Sequence, residues 1–352
     1  MERVLMKGNE ALAEGAIIAG CRGFFGYPIT PSSEIAEYMA RTMPKIGGVF
    51  VQAESELAAI NMVYGGAATG QRVMTASSGP GISLKQEGIS FLAEAELPCL
   101  VVNVSRGGPG LGGIQPSQAD YFQATRGGGH GDYHIIVLAP SGTQEMMDFA
   151  IQGFDLADKY RTPVMIMAEG TLGNLMEPVT RRPQPERIYE KPWATTGCRG
   201  RQPNIVNSLH MDSDELEKRN AILQAKFKEI IRQEKRAETY LLEDADIAVV
   251  AFGLMARIAK KAVNEARKQG VRAGVIRPIT LWPFPDGVIR EAAQQVRRFL
   301  SVEISMGQMV EDIRLALAGQ APVEFFGRIG VTPNPEEITR HILMIAEREG
   351  WR

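Results

Sequence analysis

Leu100-Val101-Val102-Asn103-Val104 is a short apolar run without polar alternation, and Ile135-Ile136-Val137-Leu138 and Val164-Met165-Ile166-Met167 repeat the pattern farther on. Strands of this kind are covered on both faces, as in parallel sheets. Phe24-Phe25-Gly26-Tyr27, Phe50-Val51 and Val73-Met74-Thr75 read as earlier strands of the same sheet. Helix-spaced apolar residues fill the gaps, over Asn9 to Ala19, Glu56 to Ala68 and Thr143 to Lys159. Pro31-Ser32-Ser33-Glu34 opens another helix, with a hydroxyl and an acid placed for its cap. This alternation predicts an α/β fold built on a doubly wound, mostly parallel sheet.

The 352 residues are enough for two domains, or three, at roughly 150 residues each. With 39 Lys+Arg against 41 Asp+Glu the net charge is −2, which argues against a nucleic-acid partner. Cys21, Cys99 and Cys198 are too few and too scattered for a disulfide framework. They are also too few for a cysteine-ligated zinc or iron–sulfur site within this chain. Acidic Glu10 and Glu14 interrupt the N-terminal stretch where a signal peptide needs an apolar run. Ile247 to Ala256, the longest apolar stretch, has about half of the roughly 20 residues a membrane span requires. A cytoplasmic protein with reduced thiols and no membrane partner is expected.

Residues 1–180 form the first expected domain. From 181 to 243 the sequence turns into a Pro-, Arg- and Gly-rich connection and a long charged helix capped by Asp212-Ser213-Asp214-Glu215. Its apolar positions Leu216, Leu223, Phe227, Ile230, Ala237 and Leu241 make a narrow stripe, suited to bridging two domains or docking a partner. Residues 244–352 read as a smaller α/β domain. Its strands are Ile247 to Gly253, Gly270 to Ile276, Arg298 to Glu303 and Val323 to Gly327, and its helices are Ala256 to Lys268 and Met309 to Leu317.

Glycine crowds at Gly65-Gly66, Gly79-Pro80-Gly81, Gly107 to Gly113 and Gly127 to Gly131. Such loops bring backbone N–H groups close to a ligand, and they also serve as plain tight turns. No Gly-Lys-Ser or Gly-Lys-Thr ends any of them, and no dinucleotide fingerprint opens a helix after the first strand. His130 and His134 are separated by residues that deny a helix, and neither they nor His210 and His341 have metal spacing, so each reads as an ordinary loop histidine. Glu54 and Glu56 stand at a strand-to-helix junction, where acids commonly serve as N-terminal charges worth roughly 0.3–1 kcal/mol.

Taken in order, several motifs together carry a resemblance. They are Gly26-Tyr27-Pro28-Ile29-Thr30-Pro31-Ser32-Ser33-Glu34, Gln52 to Ala59, and Thr75-Ala76-Ser77-Ser78-Gly79-Pro80-Gly81. Ser105-Arg106-Gly107-Gly108-Pro109, His130-Gly131-Asp132, Arg277 to Pro283 and Val302 to Gln308 continue the series. Over nearly its whole length the chain resembles the alpha subunit of the 2-oxoacid:ferredoxin oxidoreductases, and Arg106 to Tyr133 is most similar to the branched-chain type acting on 2-oxoisovalerate.

The resemblance implies a pyrimidine-binding thiamine diphosphate domain followed by a transketolase C-terminal-like domain. It implies oxidative decarboxylation of a 2-oxoacid, capture of the acyl group on coenzyme A and reduction of ferredoxin. It also implies a beta subunit carrying the diphosphate-binding domain with Mg2+, and a small iron–sulfur subunit. No Gly-Asp-Gly exists here to hold a diphosphate's magnesium, which agrees with that division. Glu56 matches the family glutamate beside the aminopyrimidine, a role that needs an acid in a dry pocket. Thr30 and Arg106 match the residues that hold the substrate carboxylate, for which a guanidinium fork is suited. Ser78 and Gly79 match the loop bordering the cofactor ring; no metal ligand is carried over. Relatives acting on polar acids read Gly-Gly-Pro-Ser-Thr-Gly after the arginine, whereas this chain has Gly108-Pro109-Gly110-Leu111-Gly112, which fits an apolar acyl chain. Pocket differences of one methylene are worth about 1–3 kcal/mol, so substrate choice would be graded. The alternatives are an alpha subunit of the 2-oxoglutarate or pyruvate type, a glycine-loop nucleotide-binding module without thiamine, and a catalytically dead scaffold.

Overall fold

Apolar runs without alternation become the central strands of one sheet. In the computed structural model, which describes residues 3–181 and 189–351, its strands lie in the order Thr280–Trp282, Ile136–Leu138, Pro163–Glu169, Cys99–Gly107, Val73–Ser77, Gly23–Gly26, Val49–Gln52. All neighbours are parallel except Thr280–Trp282, which runs antiparallel to Ile136–Leu138. Val73–Ser77 and Pro163–Glu169 are buried at every position, as coverage on both faces requires. Helix Gly8–Ile18 packs on Thr143–Tyr160, and helix Glu56–Ala68 packs on Gly79–Glu94.

A second sheet orders its strands Ala237–Tyr240, Ala273–Pro278, Ile247–Val250, Arg298–Glu303, Val323–Gly327, with only Ala237–Tyr240 antiparallel to its neighbour. Helices Gly253–Lys268 and Pro335–Arg348 pack together beside it. No helix among the described residues is long and apolar enough to cross a membrane.

Three local expectations change. The charged helix spans Ser213–Gln233, capped by Asp212 accepting from the Glu215 N–H at 2.9 Å. Its buried stripe is Leu223, Phe227 and Ile230, while Leu216 is exposed. Ala237 lies instead on a strand, because pairing with Ala273–Pro278 supplies a ladder that overrides helical periodicity, and Leu241 follows that strand with a φ of +49°. At helix Ser33–Thr42 the expected cap is absent. The Ser32 hydroxyl donates to the Ile29 carbonyl, and Glu34 accepts from Asn9 and Lys7, tertiary partners that outcompete the local helix end. Strand Ile247–Val250 stops before Gly253, which opens the next helix.

The two sheets are sewn together. Arg277, on the second, is buried and bonds Glu145 (2.9 Å) on a helix of the first, and Glu238 (3.1 Å) on its own. The bridging helix sets Arg219 on Glu94 and Glu96, and Phe227 edge-on to Trp282. Deepest is the seam around Glu169, whose carboxylate meets the Leu254 N–H (3.3 Å) at a helix start. Gln118 donates to Glu169 and to the Phe252 carbonyl (3.0 Å) and accepts from the Ile304 N–H (3.1 Å). Gly253 has φ +57°, and a Cβ there would strike the Glu169 carboxylate.

Burial pushes Glu169 up to about 7, against hydrogen bonds from Gln118 and Leu254 that lower it. A folded-state value above the ordinary 4.5 means that the proton favours the fold. The stabilisation is present below the unfolded value and is lost as pH rises through about 7, with a size of about 3 kcal/mol. Glu169→Gln is expected to abolish this loss. Unfolding midpoints of wild type and variant should diverge between about pH 5 and 7, and parallel profiles would refute the assignment.

Candidate active site

From Gly23–Gly26 the chain crosses to Val49–Gln52 on one side and then returns to Val73–Ser77 on the other. The carboxyl ends of Gly23–Gly26 and Val73–Ser77 therefore diverge at a topological switch point, where open α/β sheets leave a crevice. Tyr27 to Ser32 leaves the first of these strands, and Ser78 and Gly79 leave the second.

Glu56 is the first residue of helix Glu56–Ala68, which Ser55 caps by accepting from the Ala58 N–H at 3.1 Å. That turn points Glu56 inward, 7% exposed, and leaves Glu54 exposed. The Glu56 carboxylate presses on the first turn of helix Gly79–Glu94. A Cβ on Gly81 would stand 2.7 Å from its Oε1 and would strike the Ser77 hydroxyl. Only glycine permits this approach. The Ser77 hydroxyl beside it, and those of Thr75 and Ser78 close by in the chain, are buried without a hydrogen-bond partner among the described residues.

Arg106 ends strand Cys99–Gly107 nearby. Its guanidinium donates to the carbonyls of Thr30 and Leu111, both at 3.0 Å. The structure thus joins Arg106 to Thr30 through the threonine's backbone and pins the glycine loop that carries Leu111, 80% exposed, and Ile114, also exposed. Beneath lies a polar knot. Asp120 accepts from Asn103 and from the Ser105 hydroxyl, both at 3.0 Å, and Asn103 accepts from the Gly79 N–H at 3.3 Å. Burial pushes the Asp120 carboxyl up, against Asn103 and Ser105, which lower it. Gly79 adjoins both Asp120 and Arg106 while Gly81 meets Glu56, so the first turn of helix Gly79–Glu94 touches both Arg106 and Glu56, and Arg106 reaches Thr30 through its carbonyl.

The motifs gave no role to Asn103, Ser105, Asp120 or Lys85. A signal was present for the first two: polar residues two apart in an apolar strand share one face. Thr75 and Ser77 repeat that spacing. Lys85 is a lysine on a buried helix face, 0% exposed. The histidines lie elsewhere. His130 is exposed, His210 sits between Glu94 and Glu215, and His341 lies on Phe326. His134 stacks on Trp282 (4.6 Å) and, contrary to a satisfied loop histidine, leaves Nδ1 buried without a hydrogen-bond partner among the described residues, its neighbours being rings. Among the described residues no group of three His, Cys, Asp or Glu is placed to hold a metal ion.

A sequence model of "Pyruvate flavodoxin/ferredoxin oxidoreductase, thiamine diP-bdg" matches residues 14–236, and one of "Pyruvate:ferredoxin oxidoreductase core domain II" matches 245–338. The chain is 54% identical over 333 residues to ketoisovalerate oxidoreductase subunit VorB of Methanothermobacter thermautotrophicus, covering 94% of each. It is 41% identical over 373 residues to 2-oxoglutarate synthase subunit KorA of the same organism, covering 97% of this chain and 98% of that one. Among solved structures it resembles the 2-oxoglutarate:ferredoxin oxidoreductase of Magnetococcus marinus, with TM-score 0.86 and 28% identity, over 97% of this chain and 65% of that one. A split-gene transketolase shares the fold at TM-score 0.61 and 13% identity, over 96% of this chain and 97% of that one.

Gly81→Ala is expected to lower stability by about 1–3 kcal/mol, as overpacking does, because its Cβ would strike the Ser77 hydroxyl and stand 2.7 Å from Glu56 Oε1, so both buried side chains must shift. Chemical denaturation of the chain measures this. An unchanged midpoint would show that the carboxylate does not lie on that turn.

Proposed function

The chain belongs to the 2-oxoacid:ferredoxin oxidoreductase family, and from that premise we propose that it is the alpha subunit of a branched-chain enzyme. With partner subunits it would oxidise 2-oxoisovalerate and related acids, forming acyl-coenzyme A and carbon dioxide and passing two electrons to ferredoxin. The observation that carries this reading is Glu56, a buried carboxylate at the switch-point crevice, with Arg106 and Thr30 at the same opening. The apolar, exposed Leu111 on the loop held by Arg106 supports a branched acyl chain over a second carboxylate.

The family's cofactor is thiamine diphosphate, and the residues present fit its aminopyrimidine. The Ser77 hydroxyl, without a hydrogen-bond partner among the described residues, and the missing Cβ of Gly81 leave a polar surface beside a carboxylate, with the equally unpartnered Thr75 and Ser78 hydroxyls near in the chain. Thiamine diphosphate, when bound, supplies a carbon nucleophile and an electron sink. Glu56 would hydrogen-bond a ring nitrogen and so favour the imino form, whose own nitrogen would take the exchanging proton, a task suited to an acid in a dry pocket. Ser78 and Gly79 would border the ring. Arg106 would pair with the substrate carboxylate, which is costly to bury unpaired, and Thr30 would donate a second hydrogen bond. The pinned Leu111 loop would exclude water and set acyl shape.

The family implies a multi-subunit enzyme with iron–sulfur chemistry. With three scattered cysteines and no Gly-Asp-Gly, this chain is read as half of the site. We assign the diphosphate and Mg2+ to a beta subunit and the clusters to a small iron–sulfur subunit, in a cytoplasmic complex. The chain alone is expected to bind thiamine diphosphate weakly and to reduce no viologen with acid and coenzyme A; appreciable turnover by the single chain would overturn the assignment.

In the complex, Glu56→Gln is expected to slow thiazolium proton exchange by about 10²–10⁴-fold with assembly intact, and the same change at Glu54 should do much less. Equal effects would refute the choice of Glu56. Arg106→Lys keeps charge but loses the fork, and is expected to cost about 10- to 150-fold in kcat/KM on 2-oxoisovalerate, equivalent to about 1.5–3 kcal/mol. Thr30→Val should cost less. An Arg106→Lys efficiency within about twofold of wild type would place the carboxylate elsewhere, since a lost charge-assisted bond costs more. A panel of branched acids, 2-oxoglutarate and pyruvate tests the substrate class.

A further inference from the structure

Lys85 is among the largest fully buried side chains of the protein, and its single hydrogen bond among the described residues goes to the Ala76 carbonyl at 3.3 Å. An ammonium has three donors, and a buried charge is costly unless paired. Its place on helix Gly79–Glu94 shows what the charge faces. Long helical side chains lean toward the N-terminus over the turn three to four residues before them, and for Lys85 that turn contains Gly81. The Glu56 carboxylate presses on Gly81. Ala76, which Lys85 holds, directly precedes Ser77, the other atom group against that glycine. Burial pushes Lys85 down to about 8, and the one charge that draws it back up is Glu56.

The ionisable groups around the crevice are few. Helix Glu56–Ala68 carries no charge besides Glu56, and strands Gly23–Gly26 and Val73–Ser77 carry none. On helix Gly79–Glu94, Glu87 is exposed and Glu94 is engaged by Arg219 and His210. Arg106 and Asp120 stand at the Gly79 turn. Lys85 is the charge beneath the Glu56 side of the crevice.

We propose that Lys85 is a positioning residue for Glu56, a buried counter-charge that holds the carboxylate over the Gly81 turn and sets how readily it takes up a proton. This rests on the reading of Glu56 given above for its catalytic meaning, but the coupling itself is a property of the chain alone. A lysine kept only for its packing stem would leave the Glu56 titration indifferent to the ammonium.

The test uses the full chain without cofactor, labelled with carbon-13 at the glutamate carboxyls, the Glu56 signal being the one lost in Glu56→Gln. Removing an opposite charge raises a carboxylate, so Lys85→Met and Lys85→Gln are expected to move the Glu56 titration up by about 1–3 units, and Lys85→Arg to hold it near wild type. An unmoved titration in a folded neutral variant overturns the proposal. A reciprocal measurement needs no change at Lys85: in Glu56→Gln the Lys85 titration, followed by its ε-carbon, should fall by the same amount, and an unmoved value likewise overturns it. Thiazolium deuterium exchange in the assembled complex separates the two readings. If Glu56→Gln leaves exchange intact, the catalytic reading fails while the coupling stands. If Glu56→Gln stops exchange and neutral Lys85 variants leave its pH profile unmoved, the positioning role fails.

Discussion

A parallel sheet buried on both faces can meet a ligand only at the ends of its strands, and the rest of this structure follows from that constraint. Because Val49–Gln52 and Val73–Ser77 flank Gly23–Gly26, the chain must leave the sheet in opposite directions at one place. The crevice opened there collects the starts of helices Glu56–Ala68 and Gly79–Glu94 and the end of strand Cys99–Gly107. Each brings one kind of chemistry: a carboxylate, a turn with buried hydroxyls, and a guanidinium.

The interior charges divide into two kinds. Glu303 is fully satisfied, accepting from the hydroxyls of Ser301 and Ser305 and from the N–H groups of Gln308, Met309 and Val310 at a helix start. Glu169 meets another helix start and is held by Gln118, which also binds the second sheet through Ile304. These carboxylates serve architecture: they end helices and join the sheets. Around Glu56 the pattern reverses: among the described residues the hydroxyls of Thr75, Ser77 and Ser78 have no hydrogen-bond partner, and Lys85 is held by one carbonyl. Unspent hydrogen-bonding capacity in a dry place is costly to a fold, and these three hydroxyls stand together at the end of strand Val73–Ser77.

Much of this was legible in the chain. The runs at Leu100, Ile135 and Val164 announced buried strands because they lack alternation, and the cap at Asp212 announced a helix because its side chain is suited to a free N–H. The order of motifs from Gly26 to Gln308 announced the family. What was not legible depends on partners distant in sequence. Ser32 and Glu34 look like a cap until Asn9 and Lys7 claim the acid. Ala237 fits a helical stripe until Ala273–Pro278 offers a ladder. Asn103 and Asp120 lie in no motif and Ser105 heads one without a role, and the three become a unit only because a strand face and a later loop meet at Gly79.

The sequence by itself determined the alternation of strands and helices and the residue types that the family's chemistry needs. Those properties are local: periodicity, caps and side-chain identity are read within a few residues. Tertiary structure alone decided that Thr280–Trp282 crosses to the first sheet, that Glu54 faces solvent while Glu56 faces inward, and that Lys85 is fully buried. Strand pairing, burial and the field around a charge depend on which distant segments pack together, and no local pattern encodes them.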